Sequence, residues 1–211
     1  MALHTNDEHF RGVLGNKVHF KLNGKYRTRT RVDKARVSQK EVPVTNRLIF
    51  EQINVLAAAM QYVITDSFPK RKEGRSPVNE FVRLNRSCCR VDNFQERTMT
   101  VDYASLKFSH GRMLPPRVNV TYEEEGHTLT FAISGSTTNY PGCQEDDKVM
   151  AVVLNSTYLH AILLELGTRG EGGITSENLD EDWQKDDLHV FVYAINTAGN
   201  DVSTSRHLSI G

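Results

Sequence analysis

Cysteine is scarce in this 211-residue chain, and the three present (Cys88, Cys89 and Cys143) are an odd number. Two of them are adjacent, so no disulfide framework follows, and reduced thiols in a cytoplasmic compartment are expected. Tryptophan occurs once, as Trp183. Long apolar runs are missing too: Val149 to Leu154 is far too short to cross a bilayer. The first residues, Met1 to Glu8, have neither the positive start nor the apolar stretch of a secretory signal. Synthesis in the cytoplasm without a signal peptide is therefore expected, and on that expectation the sequons at Asn85, Asn119 and Asn155 carry no glycan.

Catalytic signatures are also wanting. There is no phosphate-binding loop of the G-x-x-x-x-G-K-[ST] type and no G-x-G-x-x-G fingerprint. The glycine-rich run Gly167 to Gly173 contains an acidic residue, and no helix follows to present its N-terminus to a phosphate, so it reads as an inter-strand loop. The eight histidines are scattered, without H-x-x-x-H spacing or a C-x-x-C partner. Cys88-Cys89 is too tight for zinc and lacks the redox C-x-x-C form. Acidic clusters at Glu123–Glu125, Glu145–Asp147 and Asp180–Asp182 fall between expected strands without calcium-loop spacing, and read as solvated loops. The expectation is a protein that is not an enzyme, with no cofactor, no metal and no small-molecule substrate.

What is present is segregated charge. The formal net charge is zero, yet residues 1–120 hold 22 Lys/Arg against 11 Asp/Glu, a net +11, and residues 121–211 hold 4 against 15, a net −11. Such a split implies a charged partner, subunits meeting basic face to acidic face, or two halves attracting one another within a monomer.

Apolar content of 38% with 25% charged residues fits a folded chain rather than a disordered one. Val18, Phe20 and Leu22 alternate with Lys17, His19 and Lys21; Asn23-Gly24 follows, and then Tyr26, Thr28 and Thr30 alternate with Arg27, Arg29 and Arg31. That pattern predicts a two-stranded basic ribbon about a tight turn. A lone hairpin is marginal in water, so it must pack on its own body or on a neighbour. An extended linker ends at Pro43. Apolar residues from Leu48 to Ile64 recur at helical spacing, predicting a helix from an N-cap at Thr45 to about Asp66. Ser76-Pro77 predicts the start of a shorter second helix carrying Val78, Phe81, Val82 and Leu84, with Cys88 and Cys89 also on it. From about residue 99 the period becomes two. Strands are predicted at Val101 to Phe108, with a bulge or switch between Tyr103 and Leu106, and at Arg117 to Tyr122, Thr128 to Ile133, Lys148 to Leu154, Leu159 to Leu166, Leu188 to Ile195 and Val202 to Ile210. The fold class is α+β: a basic β-hairpin arm and linker over 1–43, a helical hairpin over 44–98, and an acidic antiparallel β-sandwich of immunoglobulin or fibronectin type over 99–211.

Candidate binding residues follow from the charge. On the arm they are Lys17, Lys21, Lys25, Arg27, Arg29, Arg31, Lys34 and Arg36, and on the basic loop Lys70, Arg71 and Lys72. Alternation puts Arg27, Arg29 and Arg31 on one side of a strand. The receiving acidic loops are Glu123, Glu124 and Glu125, with Asp180, Glu181 and Asp182. These point to a structural or adaptor subunit whose partners are protein subunits, as a homo-oligomer or within a larger assembly. The alternative is nucleic acid bound by the same cations. A further alternative is a carbohydrate-binding sandwich using Trp183 or Tyr140 as a stacking platform.

The run Gly12-Val13-Leu14-Gly15-Asn16-Lys17-Val18 with Gly24-Lys25 and Arg27, the middle helix, the stretch Val101 to Gly111, and Asp146-Asp147-Lys148 before a buried strand together resemble an uncharacterised family. That family is a domain of unknown function from Bacteroidetes and associated phage-type gene sets. The resemblance implies the architecture above and a place in virion or secreted-machine assembly, such as a phage tail or neck. It brings no catalytic residues with it.

Overall fold

The computed structural model describes residues 3–4, 10–22, 24–31, 40–69, 74–136 and 139–211. Two compact units emerge, Met1–Lys40 and Glu41–Gly211.

The first unit is an antiparallel sheet of four strands in sequential order: β1 (Leu3–His4), β2 (Phe10–Leu14), β3 (Lys17–Leu22) and β4 (Lys25–Thr30). The alternation over residues 17–31 predicts β3 and β4 alone. The extra pairing comes from the Gly15-Asn16 turn, where Gly15 has φ +59°, a left-handed backbone that a side chain disfavours. Gly24 serves the β3–β4 turn in the same way with φ +77°. Its neighbour Asn23 lies outside the described residues.

The second unit opens with α1 (Glu41–Ala59), which begins before the expected cap at Thr45. Pro43 is tolerated because it sits in the first turn, where no backbone N–H is needed. The single helix predicted through Asp66 is broken at Met60, and α2 (Gln61–Ser67) leaves at 86° to α1. Ile53, Leu56, Ala57, Met60, Val63, Ile64 and Phe68 form one stripe across the break, and all are buried in one cluster. The bend turns the second half of that stripe back onto the same core. The helix α3 (Pro77–Asn85) starts as the sequence predicts, with Ser76 Oγ accepting the Asn79 N–H at 3.1 Å. No single helix among the described residues is long and apolar enough to cross a membrane.

Two expectations fail after α3. Cys88 and Cys89 are not helical: the chain makes a 3-10 turn over Arg86–Cys88 and enters β5 (Cys89–Asn93), paired with β6 (Thr98–Val101). Nor does a strand run from Val101 to Phe108. Asp102 accepts from the backbone N–H of Ser105 at 3.3 Å and opens a second 3-10 turn, Tyr103–Ser105. Leu106 and Phe108 are nevertheless fully buried. Between them, the Asn85 side chain takes the place of a strand partner. It accepts the Lys107 N–H at 2.6 Å and donates to the Lys107 carbonyl at 2.8 Å.

The β layers comprise β7 (Val118–Glu123), β8 (Thr128–Ile133), β9 (Lys148–Asn155), β10 (His160–Thr168), β11 (Gly173–Asn178), β12 (Leu188–Ile195) and β13 (Arg206–Leu208). They form two antiparallel sheets, β10-β9-β12-β13 and β11-β8-β7. One hydrophobic cluster joins the two, with Val118, Val120, Leu129 and Phe131 from the smaller sheet and Val149, Ala151, Val153, Val190 and Val192 from the larger. The opposite face of the larger sheet supplies Val152, Leu154, Phe191 and Tyr193 to the helical cluster. Thus β9 and β12 are buried on both faces, which is why they read as continuous apolar runs rather than alternating ones. The fold is mixed α+β, with the helices as a third layer. The strand β11 escapes the sequence pattern because it is a polar edge strand, Gly-Ile-Thr-Ser-Glu-Asn, with no fully buried residue.

Candidate functional site

Strand register decides where the arm's cations point. Val18 faces Arg29, Phe20 faces Arg27, and Leu22 faces Lys25, so these six share one side of the sheet. Val13, opposite Val18, joins them. Lys17 and Lys21 share the other side with Thr30 and Tyr26. The cations are therefore divided between two faces and mixed with apolar groups. Arg29 lies 5.9 Å from the Phe20 ring centroid and Lys21 lies 5.3 Å from that of Tyr26. Such contacts contribute about 0.5–1 kcal/mol each at exposed sites. Arg31 follows β4 and continues the ladder, its N–H donating to the Asn16 carbonyl at 2.6 Å. No residue from Arg11 to Arg31 whose side chain is described is buried, and Val13, Leu14 and Leu22 are 44–59% exposed. Lys34, Arg36, Lys70, Arg71 and Lys72 lie outside the described residues.

The two acidic loops, distant in sequence, come together. Glu123, Glu124 and Glu125 end β7 and begin its turn into β8, while Asp180, Glu181 and Asp182 lie between β11 and β12; all six are exposed. The Leu179 N–H donates to the His127 carbonyl at 2.8 Å, and the Tyr122 hydroxyl donates to the Trp183 carbonyl at 3.2 Å. These bonds hold both loops at one end of the β layers. Trp183 itself is only 5% exposed, so it offers no open face for stacking a sugar. Tyr140 is exposed at the opposite end.

That opposite end holds residues the sequence reading missed. A cavity of about 480 Å³ is lined by Arg117, which precedes β7, Arg169, in the glycine-rich loop, and Arg206, at the start of β13. Arg169 is almost fully buried and pairs with Asp147, its Nε 3.4 Å from Oδ2. Its guanidinium also donates to the Leu114 carbonyl at 2.8 Å. Asp147 is 1% exposed, unlike the solvated loop residue expected, and its Oδ2 also accepts the Gln144 N–H at 2.8 Å.

A second cluster lies on the helical side of the larger sheet. His189 stacks on Tyr103 with ring centroids 5.2 Å apart and lies 5.7 Å from His207, which meets the Phe191 edge at 5.2 Å. Burial pushes both imidazoles below their ordinary value of 6.5; His207 adds to the effect on His189, and Asp102 opposes it at both rings. Burial, with Asp102 and Cys89 adding to it, pushes the neighbouring Cys88 thiol up to about 11, which keeps it protonated and a poor nucleophile. Among the described residues no three His, Cys, Asp or Glu side chains converge on a position that could hold a metal ion.

No protein-family model, curated protein or solved structure matches the chain.

Proposed function

We propose that this chain is a non-enzymatic structural or adaptor subunit of a multimeric assembly, of the phage tail or neck kind, which docks through its basic arm on a neighbouring subunit. The reading takes the two β layers as an immunoglobulin- or fibronectin-like sandwich that carries the acidic receiving loops. One observation supports it above the rest. The arm is a four-stranded sheet without a buried described side chain; it shows Val13 and Leu22 on the face of Arg27 and Arg29, and Leu14 on the face of Lys17 and Lys21. A sheet with that surface gains stability from a partner that is both apolar and acidic. The acidic end of another copy supplies six exposed carboxylates in two adjacent loops.

Charge exchange tests the reading. Arg27→Glu/Arg29→Glu is expected to abolish self-association of the full chain. Mixing that variant with Glu124→Lys/Asp180→Lys/Asp182→Lys is expected to restore it. Association unaffected by the arm reversal contradicts docking through the arm.

A second reading, nucleic-acid binding, rests on the seven Lys/Arg between Phe10 and Arg31 with no Asp/Glu among them. Its signature is duplex binding that weakens steeply with salt. The exposed apolar residues favour the protein partner, because phosphates make no use of them.

A further inference from the structure

We propose that the arginine-lined cavity is a binding site for a small organic anion, whose acidic group sits between Arg117 and Arg206 and whose carbon skeleton lies on the apolar wall. The residues that carry this inference all belong to the unit Glu41–Gly211, so it stands independently of the arm.

The distribution of charge is the first ground. Residues 121–211 contain only four Lys/Arg among 15 Asp/Glu. Two of the four, Arg169 and Arg206, line this one cavity, joined by Arg117, and among the described residues no carboxylate lines it. The other two are engaged elsewhere: Lys148 pairs with Glu165 at 3.0 Å, and Lys185 donates to the Gly211 carbonyl at 3.2 Å. Arg117 and Arg206 have no ion-pair partner among the described residues. Arg117 and Arg206 are exposed guanidiniums at one concavity, and an anion placed there is attracted by both. Planar forks of this kind hold carboxylate or phosphate through paired hydrogen bonds.

The second ground is how the site is built. Arg169 is 5% exposed and is fixed by Asp147 and the Leu114 carbonyl, yet its buried Nε makes no hydrogen bond. Neutralised by Asp147, it forms a rigid polar floor rather than a further free charge. Ser134, Ser136 and Tyr140 bring hydroxyls to the wall, and Leu114, Pro116 and Ile133 bring apolar surface. The Ser136 N–H donates to the Arg169 carbonyl at 2.9 Å, which ties the two loops that form the walls. A volume of about 480 Å³ fits a small molecule. Exposed Glu145 and Glu171 flank the loops, and their charges oppose a long polyanion while leaving a compact anion free to enter.

Calorimetric titration of the full chain with phenyl phosphate, benzoate and inorganic phosphate tests the site. Saturable binding of one phenyl phosphate or one benzoate per chain is expected, and the tighter of the two identifies the acidic group. Inorganic phosphate, which lacks a carbon skeleton, is expected to bind more weakly than phenyl phosphate. Arg117→Gln and Arg206→Gln should each weaken binding by about tenfold, as loss of charged hydrogen bonds does. Arg90→Gln, an exposed change of equal charge, should leave binding within about twofold. Ser134→Phe, which fills the cavity without altering charge, should abolish binding while thermal unfolding stays cooperative. The site is overturned by absence of saturable binding at millimolar probe, by equal losses in Arg90→Gln, or by full binding in Ser134→Phe.

Discussion

At the residue scale, the pair Asp147–Arg169 carries the clearest energetic consequence. Both side chains are at least 94% buried, so removing one charge leaves the other desolvated and unpaired. Asp147→Asn is expected to lower stability by about 3–5 kcal/mol in urea unfolding, and Asp147→Leu/Arg169→Met to recover most of that loss. A small effect of the single change would contradict the pairing. The histidines set a pH dependence. Unfolded imidazoles take up protons near 6.5, whereas burial holds His189 and His207 below that value. The unfolded state therefore binds more protons in this window, and stability falls as pH drops below 6.5 through the depressed folded values. His189→Gln/His207→Gln should flatten the slope of unfolding free energy between about pH 7 and 5. Glu80 acts lower on the scale. Its hydrogen bond to Arg83 outweighs the opposing effect of burial, and with Arg75 also helping, the carboxyl stays below 4.5. Its stabilising contribution is lost as pH falls through that lowered value. An unchanged slope in the double histidine variant, between neutral and mildly acid pH, would show that the two rings are not the source.

At the element scale, the segment after β6 shows how a strand-like pattern is met without a strand. Ser205 Oγ accepts the Phe108 N–H at 2.9 Å, Ser109 Oγ donates to the Ser203 carbonyl at 2.8 Å, and the Met113 N–H donates to the Val202 carbonyl at 3.2 Å. These bonds sew residues 108–113 to residues 202–205. Gly111 permits the approach, since a Cβ there meets the Val202 carbonyl oxygen at 1.9 Å. Gly111→Ala is expected to cost about 1–3 kcal/mol in urea unfolding by forcing the seam apart; unchanged stability would show that the two segments are not so closely held. The period-two pattern at Leu106 and Phe108 was legible as burial, but not as the side-chain clamp of Asn85 that satisfies the backbone. The Ser76 cap, the hairpin β3–β4, and the doubly buried β9 and β12 were legible because each rests on local chemistry or on an unbroken apolar run. The bend at Met60 was not, since a buried stripe has the same spacing in a straight helix as in a broken one. The arginine cavity was illegible for a different reason. Its three arginines are distant in sequence and meet only when the loops close at one end of the sheets.

On the scale of the whole molecule, the charge split resolves into places. Acidic loops occupy one end of the β layers, three arginines gather at the other, and a separate sheet carries seven Lys/Arg between Phe10 and Arg31. Both hydrophobic clusters draw only on residues from Ile49 to Ile210. On the proposed reading, a partner subunit covers the arm's exposed apolar and basic surface. Charge-driven docking weakens as salt shortens the screening length from about 10 Å at 0.1 M to about 3 Å at 1 M. The most direct test is the particle mass of the full chain by sedimentation velocity from low to high salt, beside Arg27→Glu/Arg29→Glu. The account predicts oligomers at low salt that dissociate as salt rises, and a monomer at all salts for the variant. A full chain that is monomeric at every salt concentration, or a variant that assembles as the parent does, would contradict it.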